Sequence, residues 1–205
     1  MTDRGLFDLT ARNALVTGGG QGLGEAMALG LAEYGANVAV LDVNPDTAQR
    51  TAHKVEALGV KSLALPGDVT SEEDAERAVQ AVIDAWGSLD VLINNAGISM
   101  LEPAEDMSLT DFKQLYEVDV FGIFIFSKAA FRPMSRQKRG SIINIASMAG
   151  MIGVGATTAA YNSAKAAVIM LSKSLAVEWA QHGIRVNAIA PGFMLSPRVL
   201  ELKEE

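Results

Sequence analysis

The chain has 205 residues, 49% of them hydrophobic, a net charge of -7, a pI near 4.9 and a mean hydropathy of +0.21. That composition fills one domain core, and its acidic balance argues against nucleic acid or an anionic membrane surface as partner. Cysteine is absent and only His53 and His182 offer imidazole, so disulfides and the usual metal centres have no visible parts.

The polar start "MTDRGLFDLTARN" is unlike a signal peptide, and no apolar run reaches membrane-spanning length, which points to a soluble cytoplasmic protein. "NALVTG" (13–18) then reads as a short buried strand, and 23–35 as a helix ended by Gly35. "NVAVLDV" (37–43) is the next strand, with a helix near 45–58. "SLALPGDV" (62–69) leads into a helix whose start, Ser71, Glu72, Glu73 and Asp74, carries a strong N-terminal signal. "DVLINNAG" (90–97) is the fourth strand, followed by one long helix over about 110–136 that the basic "RQKR" (136–139) closes, where cations suit the helix dipole. "GSIINIAS" (140–147), a helix over about 158–181 and "IRVNAIAPG" (184–192) complete the series. Strands rich in Val, Ile and Leu alternating with helices predict an α/β, doubly wound parallel sheet, Rossmann-like, as a single dinucleotide-binding and catalytic domain over 1–205.

The strand ends hold the unusual residues. "TGGGQGLG" (17–24) puts five glycines in seven positions at the first strand-to-helix turn, where glycine permits a tight turn and close approach to a pyrophosphate. Asp42 ends the second strand, where a carboxylate grips an adenosine ribose hydroxyl and repels the 2'-phosphate of NADP, favouring NAD. A helix cap is the alternative for Asp42, although Asn44 and Asp46 serve that purpose equally well. For Asp68 two roles stay open, acceptor for an adenine amino group or cap for the following helix. Tyr161 and Lys165 stand four apart in an alanine-rich helix, hence on one face. Taken alone, they are either a half-buried aromatic beside a lysine reaching water, or an acid/base phenol whose anion the ammonium favours.

In this order, "TGGGQGLG", "DVT" (68–70), "NNAG" (94–97), Ser147, "YNSAK" (161–165) and "PG" (191–192) resemble the short-chain dehydrogenase/reductase superfamily, in the subgroup with TGxxxGxG and YxxxK motifs. The resemblance spans essentially the whole chain. It implies that Tyr161 is the acid/base, that Lys165 assists it and holds the nicotinamide ribose, and that Ser147 hydrogen-bonds the substrate oxygen. It places the cofactor against Thr17, Gly18, Gln21, Gly22, Leu23 and Gly24, with Asp42, Asp68 and Val69 beyond. Asn95, Ala96 and Gly97 back the nicotinamide-side ribose, Pro191, Gly192 and Met194 shape the nicotinamide pocket, and Ser196 stands where a threonine often bonds the carboxamide. Met100, Leu101 and Met151 are further candidates for the substrate pocket.

Two departures from the family pattern stand out. Asp119 occupies a position where an asparagine is usual, so an anion is expected near Lys165, pairing with it and shifting the pH optimum. The chain also stops at "FMLSPRVLELKEE", without the expected substrate lid, last helix and seventh strand. The resemblance implies an NAD-dependent dehydrogenase for a small-molecule secondary alcohol or ketone, nearest to polyol, sugar and sugar-acid enzymes, working as a homotetramer. Rival readings are a 3-oxoacyl-thioester reductase and a non-catalytic dinucleotide-binding regulator. A nucleotide-sugar epimerase fits less well, because its glycines are typically spaced GxxGxxG.

Overall fold

Six runs rich in Val, Ile, Leu and Ala form the strands β1 (Asn13–Thr17), β2 (Asn37–Asp42), β3 (Ser62–Pro66), β4 (Val91–Asn94), β5 (Gly140–Ile145) and β6 (Ile184–Ile189). The computed structural model describes residues 5–155 and 157–194. Every strand pair is parallel, in the order β3-β2-β1-β4-β5-β6, the doubly wound α/β architecture expected from the sequence. Strand order reverses between β1 and β4, so their carboxyl ends open the crevice where such sheets take ligands.

The strand period of two sorts side chains onto two covered faces. Leu15, Leu41, Leu92 and Ile142 face one core; Val16, Val38, Val40 and Ile93 face the other. Helices α3 (Glu72–Trp86) and α5 (Gly122–Gln137) close the first core through Val79, Val82, Phe126 and Met134. Helices α1 (Gly22–Glu33) and α2 (Pro45–Glu56) close the second with Ala28, Ala32, Ala48 and Val55. Against the first face also lies α6 (Ala159–Trp179), which contributes Leu175. Among the described residues no helix is long and apolar enough to cross a membrane.

Helix starts follow side-chain chemistry, with one telling exception. Asn44 caps α2 by accepting from the backbone N–H groups of Asp46 and Thr47, and Pro45 occupies the first turn. Ser71 caps α3, and Ser108 caps α4 (Leu109–Tyr116). By contrast, Gln21 gives α1 no side-chain cap, so the N–H groups of its first turn receive no acceptor from the capping side chain.

Two expectations need correction. The long helix is present but not α-helical throughout: α4 and α5 run into one another through a π-helical turn, Glu117–Phe121, which carries Asp119. The expected strands also run past the true ends by one to three residues, because the sequence stays apolar or glycine-rich where the ladder has stopped. Gly18, Val43, Gly67 to Val69, Asn95 to Gly97, Ala146, Ser147 and Ala190 to Gly192 are loop, not strand.

A buried polar network fixes the helices to the sheet centre. Asn94 and Asn144 are ladder neighbours, and Asn94 Nδ2 donates to Asn144 Oδ1 at 2.8 Å and to Ser127 Oγ of α5 at 3.0 Å. Asn144 Nδ2 donates to Ser172 Oγ of α6 at 2.9 Å. The amide and hydroxyl groups are tolerated inside because they bond one another, with Asn94 Oδ1 the one network atom left without a protein partner.

Candidate active site

At the carboxyl ends of β1, β2 and β4 lies a cleft of about 700 Å³. Its first wall is the glycine turn, contributing Gly18, Gln21, Gly22 and Leu23. Gly18 adopts φ +60, and a Cβ there would come within 2.8 Å of the Ala96 backbone. No side-chain-bearing residue fits that turn without strain. A Cβ at Gly22 would meet nothing within 4 Å, so the start of α1 stands open. An uncapped N-terminus with bare backbone suits a pyrophosphate, which accepts its N–H groups and complements its dipole. Thr17 and Gly24, also assigned to the cofactor from sequence, lie behind this wall. Thr17 Oγ1 accepts from the backbone N–H groups of Asn95 and Ala96 at 3.1 and 3.2 Å, and a Cβ on Gly24 would strike Gly18 O. Asn95 Nδ2 completes the clamp by donating to Thr17 O and Gly18 O.

Asp42 and Asp68 form the second wall with Val69. Asp42 is 8% exposed; its Oδ2 accepts from Gly20 N at 2.9 Å and its Oδ1 from Asn44 N at 3.0 Å. It therefore ties β2 to the glycine turn, while Asn44 does the capping. Each carboxylate oxygen keeps a further acceptor site for a hydroxyl. Asp68 is not the cap of α3 either, since Ser71 fills that role. Asp68 Oδ1 instead takes the N–H and hydroxyl of Thr70, both at 2.9 Å. Its own backbone N–H donates to Asp74 Oδ2 at 2.8 Å. That bond, aided by the Arg77 guanidinium at 2.6 Å and opposed by partial burial, holds the Asp74 carboxyl below its usual range.

The third wall is the segment after β4, with Asn95, Ala96, Gly97 and Ile98, backed by Val118 of the π turn. Behind it sits Asp119, 0% exposed, whose Oδ1 accepts from Ile98 N at 2.7 Å. A Cβ on Gly97 would lie 3.2 Å from Asp119 Oδ2, so glycine lets this carboxylate approach the wall. Lys165, buried at 4% exposure, reaches the same place from α6: its Nζ is 3.0 Å from Asp119 Oδ2 and donates to Ile145 O at 3.1 Å. Oδ2 receives no aligned hydrogen bond from a protein group, so its contact with Nζ is chiefly an ion pair. The ammonium lies 5.5 Å from the centroid of the Tyr161 ring, one turn earlier on α6. Lys165 is thus not a lysine reaching water.

Ser147 follows β5, two residues beyond the carbonyl that Lys165 grips; its backbone is extended and its Oγ accepts from Ala149 N at 3.2 Å. Pro191 O accepts from Met148 N at 3.0 Å, and Gly192 faces the Met148 sulfur, so "PG" docks on the segment carrying Ser147. Met194 is 49% exposed, and Leu101 and Met151 are 51% and 71% exposed, whereas Met100 packs in the apolar cluster around Tyr161 with Ile98, Phe112 and Tyr116. Ser196 lies outside the described residues. Sequence reasoning missed Ile98 and Val118 as walls; they are ordinary apolar residues that only the π turn and the end of β4 bring to the cleft. It also missed Ser127 and Ser172, although Ser172 stands two turns from Lys165 on the same face of α6, a spacing that could have been read.

Known proteins share this fold. The family model "short chain dehydrogenase" matches residues 12–205. The chain is 35% identical over 200 residues to 5-keto-D-gluconate 5-reductase of Escherichia coli (strain K12), covering 98% of this chain and 78% of that relative. It is 36% identical over 199 residues to 2-dehydro-3-deoxy-D-gluconate 5-dehydrogenase of Formosa agariphila, covering 97% and 75%. A solved structure of NAD+-bound xylitol dehydrogenase superposes with a TM-score of 0.91 at 38% identity, covering 95% of this chain and 75% of that one. The parallel sheet, the open glycine turn beside it and the match along nearly the whole chain have one reading: this chain belongs to the short-chain dehydrogenase/reductase family and is an oxidoreductase of alcohol and ketone substrates.

Proposed function

We propose that this oxidoreductase prefers NAD to NADP and moves a hydride between the dinucleotide and a polyol, sugar or sugar acid, with Tyr161 as acid/base. The observation that carries the reading is the buried Lys165 ammonium, fixed between Ile145 O and Asp119 and 5.5 Å from the Tyr161 ring centroid. When bound, the dinucleotide supplies the hydride acceptor or donor. In the oxidative direction, Tyr161 as phenolate takes the proton of the substrate hydroxyl while the carbinol carbon gives up its hydride. In the reductive direction its phenol returns that proton to the carbonyl oxygen. Ser147 Oγ donates to the substrate oxygen and steadies the charge on it, and the Lys165 ammonium steadies the phenolate. Asp42 would accept from the adenosine ribose hydroxyls and oppose a phosphate there. The names of the sugar-acid relatives and the NAD+-bound xylitol dehydrogenase support the substrate class and the cofactor. The same reading takes the enzyme as a cytoplasmic homotetramer; Phe124 of α5 and Val177 of α6, 45% and 80% exposed, offer apolar surface for subunit contact.

The test is NADH formation from NAD+ across polyols, sugar acids and secondary alcohols, repeated with NADP+ and with Tyr161→Phe. Turnover by the parent alone, faster with NAD+, supports the proposal. Activity surviving in Tyr161→Phe sinks the proton-transfer role. A preference for NADP+ with an acyl thioester turns the reading toward a 3-oxoacyl reductase, and NADH binding without turnover toward a regulator.

A further inference from the structure

We propose that Asp119 biases the cleft toward the oxidised form of the dinucleotide, by cancelling the charge of Lys165 beside the place where a nicotinamide must lie for hydride transfer at Tyr161. The inference rests on the dinucleotide reading of the cleft and concerns the charge of its inner end. Among the described residues the buried charged side chains are Asp42, Asp90, Asp119 and Lys165. Asp42 belongs to the β2 end of the cleft, and Asp90 stands just before β4 at the opposite edge of the sheet. The inner end therefore takes its buried charge from Asp119 and Lys165 alone. Glu117, the other charged residue of the π turn, and Arg185, the charged residue of β6, are exposed, and Tyr116 of α4 joins the apolar cluster around Tyr161.

The placement of Asp119 is specific. The π turn sets it inward at 0% exposure, and its Oδ1 is occupied by Ile98 N. Gly97 admits its carboxylate to within 3.2 Å of a would-be Cβ, directly behind the wall that Gly97 and Ile98 present to the cleft. π-helical turns often mark functional positions. Asp119 and Lys165 share a net charge of zero whichever of them holds the proton between them. Removing the anion alone leaves the Lys165 ammonium uncompensated; removing the cation alone leaves Asp119 without its positive partner.

The two redox forms of the cofactor respond differently. The oxidised nicotinamide ring is a cation and the reduced ring is neutral, while the remainder of the dinucleotide is the same. A uniform change in binding moves both affinities together; a change in local charge moves only their ratio. For unit charges within about 8–10 Å at an interface-like dielectric, the expected change in ratio is on the order of tenfold. The consequence is a site that does not penalise NAD+ and so suits alcohol oxidation.

The experiment is calorimetric measurement of Kd for NAD+ and for NADH at pH 7 with the parent, Asp119→Asn, Lys165→Met and the double variant. Asn keeps an acceptor for Ile98 N, and no variant needs to turn over. Kd(NAD+)/Kd(NADH) should rise about tenfold in Asp119→Asn, fall in Lys165→Met, and return close to the parent value in the double variant. Both constants moving by one common factor in the single variants would overturn the proposal and leave Asp119 a purely structural residue. Should Asp119→Asn fail to fold, Asp119→Ser, which also keeps an acceptor for Ile98 N, puts the same question, and an unchanged ratio there refutes the charge argument. Failure of the parent to bind either dinucleotide would instead refute the reading of the cleft itself.

Discussion

Two buried carboxylates stand at opposite edges of the sheet, and they are treated in opposite ways. Asp90, 5% exposed, accepts from Asn13 N, from Ser88 Oγ and from the guanidinium groups of Arg12 and Arg139. Both arginines are half-exposed, so Asp90 is saturated with donors whose own charges stay hydrated. Asp119 has one backbone N–H and one ammonium, and that ammonium is itself buried. Burying an ion pair with so few additional hydrogen bonds is a poor way to gain stability. The lesson is that the amino edge is built to hold, while the carboxyl edge leaves charge undersolvated where a reaction can use it.

Substitutions can break this contrast if the two edges turn out to be interchangeable. The largest effect belongs to Tyr161→Phe, expected to lower kcat by about 10³-fold while NADH fluorescence titration shows binding retained. The matching change at the other edge, Asp90→Ala, should cost about 2–4 kcal/mol in urea unfolding, by stranding the Asn13 N–H, and leave the NAD+/NADH affinity ratio where it was. A changed ratio in that variant would mean that the edges communicate. Between the edges, Ser172→Ala leaves Asn144 Nδ2 without its acceptor and should cost about 1–3 kcal/mol in the same assay.

The smallest effect is at Asp74. Its folded-state carboxyl lies below the ordinary value of 3.8, so its contribution is complete above that value and is lost as the pH falls through the lowered one. The stability gap between the parent and Asp74→Asn should therefore narrow on acidification below about pH 4. A gap that stays constant with pH would show that the Asp68 N–H and Arg77 do not favour the charged form.

Much of this was legible in the sequence, for reasons that differ by element. The order of strands and helices followed from apolar runs and capping residues, and Ser71 capped its helix as its surroundings indicated. The strand ends were not legible, because a ladder stops where its neighbour's chain diverges, which no local pattern records. The same holds for the π turn: "YEVDVFGIFIF" keeps its apolar content straight through it. The meeting of Asp119 with Lys165 was anticipated only because the family resemblance placed both residues; spacing alone could not join positions 46 residues apart. The Asn94, Ser127, Asn144 and Ser172 network escaped for that reason too, since small polar residues scattered along a chain look like surface until the fold buries them.

The π turn has one more effect, on the phasing of the long helical rod. In an unbroken α-helix, Leu115 and Phe126, eleven residues apart, would face within about 20° of each other. The extra residue in Glu117–Phe121 retards the second half by about 100°. Accordingly Leu115 packs against Ala160 and Ala164 near Tyr161, while Phe126 points into the main core with Ala130 and Met134. One inserted residue thus works as a phase shifter, letting a single rod serve two surfaces, and a one-residue deletion anywhere in that turn would set the two halves competing for one orientation.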